Sequence, residues 1–227
     1  MKTSKIALFA NMTCCFLAII AGIFKLDTLS LFSIPLIIPF LFFYYYIETT
    51  KISVLVSLFL LFNFIGDSMG LMNFENEIYY ILPPFFLSNL IMIFLMIKNI
   101  EKFKFSIFNC IALTIITISL FYFWNAIVNL FSFNENNIQL KIAIYGFSLI
   151  FLAVLASYNV IWRVSNSNIF LMVSATCVLI SDIFYVVFNF QNQLIVLNYI
   201  HFACQIFSYF FFIKYVLSKE KERSVIK

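Results

Sequence analysis

The sequence predicts an all-α, polytopic membrane protein of eight transmembrane helices, and three observations predict it. Of its 227 residues 64% are hydrophobic and only 11% charged, too little polar surface to cover a water-soluble globule. Its apolar runs are continuous over about 20 residues, the length that crosses a bilayer as a helix, and lack the alternation of barrel strands. The breaks between runs are short and charged or Asn-rich, so no soluble domain fits among them and 1–227 reads as a single transmembrane domain.

Taken in order, the first span is Ile6–Phe24. It follows a basic start resembling a secretory signal, yet no A-x-A site succeeds it and it is long enough to span, so it is expected to stay. Leu29–Ile47 carries Pro35 and Pro39 and ends in the interfacial aromatic belt "FFYYYI". Ser53–Met72 and Ile78–Ile97 come next, the latter with Pro83 and Pro84, and all four prolines are expected to kink their helices. Ser106–Phe131, Ile142–Trp162, Ile169–Phe188 and Ile195–Leu217 complete the set, and the tail "SKEKERSVIK" reads as an ordinary solvated end.

With eight spans both termini share a side. Twelve basic residues fall there, from Lys2 and Lys5 through Lys51, Lys98, Lys102, Lys104 and Arg163 to Lys214, Lys219, Lys221, Arg223 and Lys227. Only Lys25 and Lys141 fall opposite. The positive-inside rule makes both ends cytoplasmic. The net charge of +4 is then a cytoplasmic rim, and no nucleic-acid partner is expected. Abundant Phe, Ile, Asn and Lys with low Gly suggests an AT-rich bacterial genome, hence the inner (cell) membrane. The five cysteines lie within spans at no metal-ligand spacing and read as small packing residues.

The chain also says one thing twice. "NFENE" at 73–77 recurs as "NFQNQ" at 189–193, 116 positions on, and the same offset carries Ile97-Lys98 onto Ile213-Lys214. One residue out of register, Ile65-Gly66-Asp67 overlies Ile180-Ser181-Asp182. This predicts a duplicated four-helix unit, halves about 1–104 and 105–227, and an even-numbered unit repeats in parallel orientation.

Depth gives the duplication chemical meaning. At 1.5 Å per residue Asp67 lies roughly 22 Å beyond Ile52 and Asp182 roughly 20 Å beyond Ile169, one level in the non-cytoplasmic half. His201 and Gln205 come to a similar depth, Asn89 and Tyr145 do so more approximately, and Asn63, one turn before Asp67, is its expected hydrogen-bonding neighbour. A charged side chain near the bilayer centre costs about 2.5 kcal/mol or more, so these groups should face inward and mark a site. Low dielectric penalises the charged form, so one carboxyl of a close pair would stay protonated while the other ionises, an acid beside a base. Two plainer readings stand beside this: the aspartates as interhelical hydrogen-bonding groups, and His201 as a neutral imidazole bonded to a neighbour. With one His in the chain neither a metal nor another cofactor is expected.

"IGD" in span three paired with "ISD" in span seven, Tyr145 early in span six, and "NYIHFACQIF" with Tyr199 and Gln205 in span eight resemble the YhhN-like lysoplasmalogenase family over nearly the whole chain. The resemblance implies an eight-helix hydrolase that cleaves the vinyl ether bond of lysoplasmalogens, releasing a fatty aldehyde and a glycerophospho-head group. Its partners would be a lysophospholipid substrate and the surrounding membrane lipids. Asp67 and Asp182 would be the catalytic acidic pair, with Tyr145, Tyr199 and Gln205 lining the site; His201, Asn89 and Asn63 join them as substrate-binding candidates from the depth argument. The chain departs from the family pattern where Ile34-Pro35 replaces Lys-Pro, Ser88-Asn89 replaces Ala-His and Leu152 replaces Met. A small-solute or proton-coupled transporter, or a non-catalytic lipid-binding member of the family, are the rival readings, since parallel repeats with intramembrane acids also occur in transporters.

Overall fold

Small side chains set the first contacts. Ala7, Asn11, Cys14, Ala18 and Ala21 recur at three- and four-residue steps on one buried face of the first helix, which lets the second helix approach closely. The Asn11 amide donates to the Ile37 carbonyl across that seam at 2.8 Å. The computed structural model describes residues 2–24, 26–72, 78–100, 106–130, 136–190 and 194–226. These form eight helices: α1 Lys2–Phe24, α2 Asp27–Glu48, α3 Val54–Gly70, α4 Ile78–Lys98, α5 Ile107–Leu130, α6 Asn136–Trp162, α7 Asn166–Phe190 and α8 Ile195–Ile226, with no strand among the described residues. The motif at 73–77 and the last three residues of the one at 189–193 lie outside the described residues, as do Lys25, Lys102, Lys104 and Lys227.

Seven of the helices are long and apolar enough to cross a membrane, and their outer faces expose large side chains such as Phe9, Phe16, Phe32, Phe108 and Tyr122, as a lipid solvent permits. The protein is accordingly built as a multi-pass helical membrane protein. The exception is α3. A span of Ser53–Met72 is expected, but the helix stops at Gly70 after 17 residues, and Met72 donates back to the Met69 carbonyl in a turn. Two glycines in the last turns, Gly66 and Gly70, weaken the helix there. Its length is then about 25 Å. The prolines interrupt neither α2 nor α4.

The tail is no loose end either. α8 runs on to Ile226 through a charged stretch rich in good helix formers. Glu220 accepts hydrogen bonds from the Thr49 hydroxyl at 2.8 Å, the Thr50 amide at 2.9 Å and the Thr50 hydroxyl. Ser167 donates to Glu222, and Asn99 donates to the Tyr215 hydroxyl. The α2–α3, α4–α5 and α6–α7 junctions are thus gathered around the last turns of α8.

Three antiparallel hairpins, α1–α2, α3–α4 and α7–α8, supply the closest packing; α2–α3, α6–α7 and α5–α6 join neighbours, and α4–α6, α2–α8 and α1–α8 close the bundle. Ser174 and Ser181, seven residues apart and fully buried, let α7 press on α8, where the Ser174 hydroxyl donates to the Ser208 carbonyl. The main core fills the half nearer the α8 tail: Tyr45, Phe59, Leu60, Met92, Met96, Leu152, Leu171, Phe212 and Ile213 are all within a few per cent of complete burial. The rings of Phe59 and Phe212 meet at 4.0 Å between centroids. That half is solid; the other half is not.

Candidate functional site

The same helical stripes that build the core continue into a space they do not fill. On α3, Val56, Phe59, Leu60 and Asn63 are buried at three- and four-residue steps, and the next positions of that stripe, Gly66, Asp67 and Gly70, line a cavity of about 740 Å³. On α7 the stripe of Leu171, Ser174, Val178 and Ser181 brings Asp182 and Tyr185 to the same cavity, and α6 brings Tyr145. α8 contributes Tyr199 and His201. The volume is that of a small-molecule site. Exposed Asp27 of α2 and Asn198 of α8 mark its rim, with Ser30 and Leu71 also in the lining, so the cavity lies toward the end of the bundle opposite the α8 tail.

Both carboxyls therefore face one chamber, and each is held by a tyrosine. Tyr209 donates to Asp67 Oδ1 at 2.9 Å; Tyr145 donates to Asp182 Oδ2 at 2.8 Å. The other oxygen of each carboxyl has no hydrogen-bond partner among the described residues. The supports behind the tyrosines differ. Gln205 Nε2 donates to the Tyr209 hydroxyl at 2.6 Å, and Gln205 Oε1 accepts from the Ser181 hydroxyl at 2.7 Å. The Asn89 amide approaches the Tyr145 hydroxyl, although its nitrogen makes no hydrogen bond of ordinary geometry. Asn89 and Gln205 are themselves 116 positions apart, the offset of the duplicated motifs.

The candidate residues divide by place. Asp67, Asp182, Tyr145, Tyr199 and His201 line the cavity, whereas Gln205, Asn89 and Asn63 stand buried behind the lining. Asn63 does not pair with Asp67, as its spacing had suggested. Its amide donates to the Phe59 carbonyl and accepts from the Ser88 hydroxyl, because a helix side chain one turn before another reaches its own i−4 carbonyl more readily than a neighbour directed into open space. Tyr199 donates to the Gly22 carbonyl at 3.2 Å, tying α8 to α1 at the cavity wall. The His201 ring leans on Tyr185, with centroids 5.1 Å apart.

Sequence reasoning missed Tyr209, Ser181 and Asp27. A signal for Tyr209 was present, since His201, Gln205 and Tyr209 recur every four residues and so share one face of α8. Among the described residues no three of His, Cys, Asp and Glu gather closely enough to hold a metal ion. Chemically, the chamber offers two carboxyls within and a third, Asp27, at its rim, with an imidazole and three phenols in a largely apolar wall. Such a set can deliver a proton to a bound apolar molecule, stabilise a cation formed from it and orient water. Comparison with protein-family models, curated proteins and solved structures finds no match for this chain.

Proposed function

We propose that the protein is an intramembrane hydrolase of the lysoplasmalogenase kind, cleaving the vinyl ether bond of a lysolipid with Asp67 and Asp182 as its acid and base. The observation that carries this reading is the convergence of the two half-buried carboxyls on one cavity, each with one oxygen fixed by a tyrosine and the other without a hydrogen-bond partner among the described residues. Vinyl ether hydrolysis begins with protonation of carbon and passes through an oxocarbenium ion that water captures. A carboxylic acid supplies the proton, and a second carboxylate beside it stabilises the cation, as the carboxyl pair of a glycosidase does for a similar ion. The unequal supports of the two carboxyls suit unequal roles.

The architecture around the site fits a lipid substrate. All eight helices, α3 included, are taken to cross the bilayer, with both termini cytoplasmic and the chamber opening in the opposite leaflet of a bacterial inner membrane. The packing supports the duplicated bundle: α4 meets α6 as α8 meets α2, the two contacts that exchanging the halves would interchange. An alkyl chain would lie along the apolar wall while the head group stays at the rim.

The test is turnover. Purified protein in detergent is expected to release fatty aldehyde and glycerophospho-head group from a lysoplasmalogen in equal amounts. Solute flux into liposomes without aldehyde would select a transporter, and lipid retained without turnover a binding protein.

A further inference from the structure

His201 is the only histidine of the chain, and its surroundings fix where its proton sits. Nδ1 lies 3.0 Å from the Ser181 carbonyl oxygen and 2.8 Å from the Ser181 hydroxyl oxygen. A carbonyl can only accept, so Nδ1 must carry hydrogen. The Ser181 hydroxyl spends its own hydrogen on Gln205 Oε1 and is left an acceptor toward the imidazole. From there every bond points one way: Gln205 Nε2 donates to Tyr209, and Tyr209 donates to Asp67 Oδ1. Four hydrogen bonds in series, through buried Ser181, Gln205 and Tyr209, start on a backbone-anchored imidazole and end on a carboxylate oxygen.

The consequence falls on the other ring nitrogen. With Nδ1 protonated, neutral His201 presents Nε2 as a lone pair, and Nε2 has no hydrogen-bond partner among the described residues although the residue lines the cavity that holds both carboxyls. We propose that His201 is a third catalytic residue of this site, whose Nε2 takes the proton of the attacking water and leaves the second carboxylate to stabilise the oxocarbenium ion; this rests on the hydrolase reading above.

The proton inventory closes with this residue in place. One carboxyl gives its proton to the outer vinyl carbon, the double bond supplying the electron pair, and an oxocarbenium ion forms. Water adds to the oxocarbenium carbon as its proton passes to Nε2, giving a hemiacetal and an imidazolium. The imidazolium then protonates the ether oxygen while the spent carboxylate takes the hemiacetal hydroxyl proton, and the carbon–oxygen bond breaks to alcohol and aldehyde. Both groups return to their starting forms, with one water consumed. The amide of Gln205 is not asked to relay a proton. It holds polarity and position.

Two measurements decide. In protein labelled with ¹⁵N-histidine the single imidazole should show a protonated Nδ1 and an unprotonated Nε2; an Nε2–H tautomer overturns the proposal, and this arm needs no variant. In the turnover assay His201→Asn keeps a donor for the Ser181 carbonyl but has no basic nitrogen. Its kcat should fall about a hundredfold or more, with KM within about twofold and partial rescue by added imidazole. A His201→Asn protein with wild-type kcat, or a loss confined to KM, overturns the role. An inactive wild type overturns the hydrolase reading and the role with it, a result distinct from an active wild type indifferent to His201.

Discussion

At the scale of the residue, the site turns on phenols that orient carboxyls. Tyr209→Phe removes the donor to Asp67 and leaves Gln205 Nε2 without its acceptor. A buried polar group so stranded costs about 1–3 kcal/mol, so the variant should melt several degrees lower in detergent and turn over at least tenfold more slowly. An unchanged melting temperature would mean that the chain from His201 to Asp67 is not held in solution. Asp67 and Asp182 were legible in the sequence because a carboxylate in a lipid-soluble run stands out by composition alone, whereas Tyr145 was reached through its depth and the family resemblance. Tyr209 was not legible, because tyrosine is common in this chain and only azimuth separates one that faces a carboxyl from one that faces lipid. The misplacement of Asn63 has the same origin: spacing along a helix gives neighbours, but not whether a side chain will satisfy itself on its own backbone.

At the scale of the element, glycines decide how near the walls of the chamber can come. A Cβ at Gly66 would lie 2.8 Å from the Phe85 ring, whereas one at Gly22 would meet Tyr199 at an ordinary 3.6 Å. Both glycines line the cavity, as do both rings. Gly66→Ala must displace Phe85, and the room to yield lies in the cavity, so KM for a long-chain lysolipid should rise severalfold while Gly22→Ala stays near wild type. Equal effects of the two, read from initial rates over a series of chain lengths, would remove Phe85 as a wall of the substrate site. The helices themselves were readable from apolar run length, which is set by the solvent rather than by tertiary contacts. Their ends were less so. α3 ends early on its glycines, and α8 runs beyond its apolar span because the charged tail is itself a good helix former whose glutamates bind Thr49, Thr50 and Ser167.

At the scale of the whole molecule, one half of the bundle is a packed core and the other a chamber, so the carboxyls lie toward one end of it. In the proposed topology, with the termini cytoplasmic, that end faces away from the cytoplasm. Asn198→Cys, at the rim, should then react in intact cells with a thiol reagent that cannot cross membranes, while Ser224→Cys, in the α8 tail, should react only after lysis. The opposite pattern would invert the topology and place the substrate in the inner leaflet. The proposed joint action of two carboxyls on one bound lipid is tested most directly by aldehyde release from a lysoplasmalogen by the purified wild type, Asp67→Asn and Asp182→Asn proteins. The proposed mechanism predicts that the wild type turns over and that each variant loses at least about a hundredfold in kcat while still melting cooperatively. Wild-type rates in either variant would contradict it.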